Sequence, residues 1–174
     1  MEEYHKMIDA RIITPAEKVE LIHGEIIEIS PITPRHAGVV NLLNSIFSYH
    51  GFGKIVVGPQ NPIELNPYSE PEPDIVIAKY RPDHYTISHP KPEDIQMVIE
   101  VSISTYPYDL ETKLPLYAEA GIPELWIVNI EEEQIEVNKT PVGNIYKYKE
   151  IYQGNEEIST DTIDFKMKVN EIIL

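Results

Sequence analysis

Residues 97–102, MVIEVS, form an apolar run with a carboxylate at its centre. Met97, Val98, Ile99 and Val101 read as a buried strand, which needs a packed sheet around it. Glu100 breaks the run. Ionised carboxylates are almost never fully buried unless they are paired or hold a metal. The fold must therefore both cover this strand and give Glu100 company.

The neighbouring patterns supply the other elements. Residues 1–18 read as a lead-in with a short helix, and Thr14 can cap a helical turn with Pro15 at its first position. VELI and EIIEIS are strands around His23-Gly24, a hairpin signal. In TPRHAGVVNLLNSIFSYHGFG, Ala37, Val40, Leu43 and Phe47 repeat at helical spacing, joined by Leu42 and Ile46, and Gly51 and Gly53 end the helix. KIVVGPQNPIEL is extended, and its prolines favour an edge or bent strand. A proline-rich loop runs into a strand at Ile75–Ala78, and a second loop leads to IQMVIEVS. Residues 109–120 are helical, with Pro115 able to kink them and Gly121 to terminate them. PELWIVNI is a strand, EEE at 131–133 a solvated turn, and QIEVNKT, IYKYKEIY and the tail further antiparallel strands. The order predicts a mixed α/β or α+β fold, with a central sheet flanked by helices and extra antiparallel strands at both ends. It fits one domain over 1–174, with a core about 19–130 and C-terminal strands from 131 to 174.

Composition narrows the function. The chain has 174 residues, no cysteine and a net charge of −15, with only three arginines. Disulfides, zinc–thiolate sites and cysteine nucleophiles are excluded. A cysteine-free chain without a signal-like N-terminus suits the cytoplasm. No apolar run approaches the roughly 18 residues of a membrane span. A general affinity for nucleic acid needs a basic footprint, which is missing, although a metal can offset local negative charge. There is no Gly-rich phosphate loop, G-x-S-x-G elbow or H-E-x-x-H. His84 and His89 lack supporting acids and make a poor zinc set.

The chemistry collects around two acids. Asp74 opens one predicted strand and Glu100 lies in the next. Taken alone, Asp74 is a turn residue and Glu100 a glutamate paired to a lysine or to backbone N–H groups. Together they are two carboxylates on neighbouring strands, which repel unless a cation joins them. Mg²⁺ accepts a few carboxylate oxygens and keeps several waters. Asp109, Lys113 and Tyr117 then repeat at i, i+4 and i+8 and share a helical face. Facing the acids, Lys113 could orient water or stabilise developing charge; facing solvent, it would be an ordinary pair with Asp109. His36 begins the first long helix and could contact substrate or bind an acid, or simply start the helix. Glu20 and Glu25 flank the hairpin, as further acids for the cleft or as exposed strand residues. Gln60 and Asn61 could bind substrate, and turn chemistry explains them equally.

The run ELIHGEIIEISP, RH, NPIEL, SEPEPDIVI and HPKPEDIQMVIEVSISTYPYDLETKLPLYAEAGIPELWIVN resembles the Uma2 family of restriction-endonuclease-like domains, over roughly residues 19–130. The resemblance implies the PD-(D/E)XK nuclease fold and a metal-dependent endonuclease acting on nucleic acid, DNA foremost. Asp74 becomes the PD aspartate, Glu100 the second acid, and Val101 the residue whose carbonyl touches Mg²⁺ or Mn²⁺. The motif lysine is due at 102, where Ser102 stands, and Lys113 is the candidate for a migrated lysine. A homodimer would suit cutting of both strands of a duplex. The missing lysine, the acidity and the few arginines also fit a silent or regulatory protein that keeps the fold, or an oligomeric binding scaffold.

Overall fold

The computed structural model describes residues 1–14 and 16–173. Helix α1 spans Glu2–Asp9. Thr14 bonds Glu17 through its N–H at 2.9 Å and its hydroxyl at 3.0 Å. The expected helical position of Pro15 lies outside the described residues. Strands β1 (Val19–Ile22) and β2 (Glu25–Glu28) form the hairpin, antiparallel in register Ile22 to Glu25. His23 and Gly24 both adopt positive φ, 51° and 83°, as a two-residue turn matching strand twist requires.

Helix α2 runs Pro34–His50. Thr33 caps it by accepting the His36 N–H at 3.3 Å, and Pro34 at the first position lacks only an N–H that would be unpaired there. Val39, Val40, Leu43 and Phe47 are its buried face. Gly51 ends α2 for a reason other than a left-handed cap. Its φ is −95°, and an added Cβ would run into the Ile55 side chain and the Phe47 carbonyl. The left-handed residue is Gly53, at φ 72°.

The central sheet has six strands in the order β3-β4-β5-β6-β7-β8. They are β3 (Ile55–Pro59), β4 (Ile75–Lys79), β5 (Ile95–Ser102), β6 (Glu124–Asn129), β7 (Gln134–Val142) and β8 (Ile145–Gln153). The proline-bearing β3 takes an edge, where a missing N–H costs least. Only β5 and β6 run parallel. Such a pair needs a long crossover, and residues 106–119 provide it. The C-terminal strands β7 and β8 extend the same sheet that holds β5. The tail adds a small antiparallel pair, β9 (Glu157–Ser159) with β10 (Lys166–Lys168), and ends in helix α5 (Val169–Ile172). The short final helix departs from the all-strand tail that residue pattern suggests.

The crossover is helical from Tyr106, earlier than the pattern indicates. It comprises α3 (Tyr106–Tyr108), a π-helical turn (Asp109–Lys113) and α4 (Leu114–Glu119). Pro115 produces no simple kink. The Leu114 N–H bonds the Asp109 carbonyl, an i to i−5 link that widens the turn just before the residue lacking a donor. Gly121 closes the helix at φ 76°.

Two apolar cores sandwich the sheet. Met97, Ile99 and Val101 face one, with Phe47, Trp126 and Phe165. Val98 faces the other, with Leu116, Tyr117 and Ile127. Strand alternation puts Glu100 on the second side, beneath residues 106–119. Among the described residues no helix is long and apolar enough to cross a membrane.

Candidate active site

The site lies where the start of β4 meets the end of β5. β4 and β5 are antiparallel with Ile75 opposite Ile99, so Asp74 and Glu100 fall side by side at the same end of the sheet. The Asp74 N–H donates to Glu100 Oε2 at 3.3 Å. Asp74 Oδ2 accepts the Val101 N–H at 2.8 Å and His36 Nε2 at 3.0 Å. Its other oxygen, Oδ1, has only Gln60 Nε2, at 3.5 Å.

Glu100 is 5% exposed. Its Oε1 accepts the Tyr117 hydroxyl at 2.5 Å and lies 3.4 Å from Lys113 Nζ. Lys113, equally buried, makes its shortest contact with Glu20 Oε2, at 2.5 Å. Glu20 also accepts the Glu72 N–H at 3.1 Å and the Tyr108 hydroxyl at 3.4 Å. The hairpin thus delivers a second acid to the ammonium. The π-helical turn and α4 deliver Lys113 and Tyr117 on the face toward β5, a choice that the i, i+4 spacing left open.

Ser102 stands where a PD-(D/E)XK lysine is expected, and the structure gives it other work. It is fully buried and its hydroxyl donates to Asp109 Oδ2 at 2.5 Å. Asp109 is therefore no surface partner of Lys113; it is tied to the end of β5. The Ser102 carbonyl accepts the Ile130 N–H on the β6 side. Strand alternation puts the Val101 carbonyl, one residue earlier, on the opposite, β4 side of β5, the side of its own N–H.

A cavity of about 450 Å³ opens over these groups. Glu20, Asp74, Glu100, Asp109 and Lys113 line its floor. Ile27, Ile29, Ile32 and Ile103 line the walls, with His36, Gln60 and Tyr108. Glu25 stays outside: it is exposed at the turn end of β2 and does not reach the cavity. Residue pattern passed over Glu72 and Tyr108. Glu72 has a signal in hindsight, since it stands two residues before Asp74 on an extended segment and shares its side. Gln60, left ambiguous by sequence, has φ 50°, backbone strain of a kind that gathers at functional sites.

The electrostatics are those of crowded, dry carboxyls. Burial pushes the Glu100 carboxyl up to about 8; Lys113 opposes this, and Asp109 and Asp74 add to it. Burial likewise raises Asp109, against its bond from Ser102, and raises Glu72. Burial pulls Lys113 down, but Glu100 and Glu20 outweigh it and hold the ammonium protonated. Burial and then Glu20 push the Tyr108 hydroxyl up to about 12.

Oxygen donors of this kind fit a hard divalent cation. Asp74 and Glu100 are each anchored through one oxygen and keep the other loosely engaged. Among the described residues no three His, Asp or Glu side chains are grouped as a metal cage. Mg²⁺ does not need one, because one or two carboxylates and several waters satisfy it.

Comparison with known proteins agrees with this architecture. No curated protein sequence matches the chain. Among solved structures, the crystal structure of "a putative nuclease belonging to DUF820" from Anabaena variabilis ATCC 29413 superposes with a TM-score of 0.71. The match covers 95% of this chain and 96% of that one at 11% identity, a likeness of fold. The Uma2 family, described as "Putative restriction endonuclease", matches residues 1–170. A match over that span, with the fold it entails, makes the chain a member of the Uma2 family.

Proposed function

We propose that this protein is a metal-dependent endonuclease that hydrolyses phosphodiester bonds of nucleic acid, DNA foremost, in the cytoplasm. One observation carries the reading: two adjacent carboxylates at the sheet end each present a loosely held oxygen to a cavity, beside a buried ammonium. Asp74, Glu100 and the Val101 carbonyl would hold Mg²⁺ or Mn²⁺. Such an ion, when bound, supplies Lewis-acid stabilisation of a phosphoryl oxygen and a water of lowered pKa. The chain's own part is orientation and charge. Lys113, fixed by Glu20, places a permanent positive charge next to Glu100, where it stabilises negative charge that develops on the phosphate. Tyr117 holds Glu100 in place from below.

The test is cleavage of labelled single- and double-stranded DNA and RNA oligonucleotides in Mg²⁺ or Mn²⁺. Wild type should cut, and Asp74→Asn and Glu100→Gln should each lose nearly all activity. Cleavage that survives both substitutions refutes this site.

A second reading has its own support. The Lys113 ammonium is shared between Glu20 and Glu100, and the chain is strongly acidic. A silent or regulatory protein with this fold would bind no Mn²⁺ by calorimetry and cut no nucleic acid. A two-fold dimer would suit duplex cutting, and sedimentation of a stable monomer would argue against it.

A further inference from the structure

We infer that His36 is a positioning residue, which orients Asp74 so that one carboxylate oxygen faces the cavity; this rests on the metal-binding reading of Asp74. His36 is the third residue of α2, and its N–H is fixed by the Thr33 cap. Its Nε2 lies 3.0 Å from Asp74 Oδ2. An ionised carboxylate only accepts, so in this contact Nε2 is the donor and carries the proton. The same oxygen accepts the Val101 N–H at 2.8 Å. Two donors on Oδ2, one from a helix and one from a strand, fix the rotation of the carboxylate. They leave Oδ1 with only the long 3.5 Å contact from Gln60.

His36 Nδ1 is buried and has no hydrogen-bond partner among the described residues. The ring reaches Asp74 through Nε2 and also lies against the Val101 backbone. Groups that hold metal-binding side chains in this way are worth roughly 10–100-fold in metal affinity.

Calorimetric titration with Mn²⁺ alone tests the inference on wild type, His36→Ala, His36→Asn and His36→Gln. Gln can place an amide N–H near the Nε2 position, whereas Asn is too short to reach. Wild type and His36→Gln should bind Mn²⁺ similarly, and His36→Ala and His36→Asn should bind about 10–100-fold more weakly. The Asn variant keeps a polar side chain and carries the test if the Ala variant does not fold. Equal affinity in wild type and His36→Asn, or a His36→Gln as weak as His36→Asn, overturns the positioning role while leaving the metal site standing. Absence of Mn²⁺ binding by wild type overturns both.

Discussion

Replacing Glu100 by Gln should stabilise the metal-free protein, increasingly so as pH rises. Gln keeps the shape, with an amide oxygen that can accept the Asp74 N–H and an amide NH2 that can donate to the Tyr117 hydroxyl. It removes the acid whose carboxyl burial pushes from 4.5 to about 8. The sign follows from proton uptake. Between these two values the folded chain holds a proton on Glu100 that the unfolded chain has lost. Wild-type stability therefore falls as pH climbs through that window. At about 1.4 kcal/mol per pKa unit, the full effect is roughly 5 kcal/mol, and relaxation of the site will reduce it. Urea unfolding with chelator at pH 5, 7 and 9 measures it. Glu100→Gln and wild type should be similar at pH 5, and the variant should gain about 2–5 kcal/mol on wild type by pH 9. Mn²⁺ should then stabilise wild type and leave Glu100→Gln unmoved. If the variant instead loses ground to wild type as pH rises, Glu100 is an ionised structural partner of Lys113, and the argument from a costly, metal-seeking carboxyl fails.

Lys113→Met should destabilise the protein by about 3–5 kcal/mol in chemical denaturation, because Glu20 is left buried without its cation. The same change should lower cleavage by about 10²-fold or more in the oligonucleotide assay. Adding Ser102→Lys to Lys113→Met should fail to restore cleavage, because position 102 is fully buried and committed to Asp109; recovered activity would show that the motif position still works. Phe47→Ala should cost about 3–5 kcal/mol in the same denaturation, since the ring packs against Trp126 and Phe165 at centroid distances of 6.0 and 5.5 Å.

Local patterns carry much of this molecule. The alternation in MVIEVS assigns Val98 and Glu100 to one face and Ile99 and Val101 to the other, which is how β5 lies between its cores. The stripe through Val40, Leu43 and Phe47 marks the buried side of α2 for the same reason: periodicity reports which face meets a partner. What local pattern cannot report is contact between distant segments. Glu20 and Lys113 are 93 positions apart, and nothing around either names the other. Their pairing follows from the hairpin packing beneath the crossover. The π-helical turn is equally silent in sequence, since it depends on how residues 106–119 settle on the sheet around Pro115. Ser102 reads as a lost lysine when only its position is considered. In three dimensions it is the hydroxyl that holds Asp109, and the ammonium arrives from the next helix.

The balance of charge in the cavity is the strongest argument that the arrangement serves more than folding. Glu20, Glu72, Asp74, Glu100 and Asp109 border it, and Lys113 is the buried cation among them. Lys18 adds an exposed ammonium beside Glu72, but two ammonium groups do not match five acids, and burial already drives Glu72, Glu100 and Asp109 toward their protonated forms. A fold selected for stability alone does better with apolar side chains in such a place. The second core shows that they would fit, because Val98, two residues before Glu100 on the same face of β5, packs there without difficulty. The acids converge instead where two strand ends, a capped helix and the hairpin meet, and Glu20, Asp74, Glu100 and Asp109 are each fixed by named donors. An added divalent cation is the simplest agent that turns this repulsion into attraction, which is why metal affinity, more than cleavage of any one substrate, is the decisive measurement for this protein.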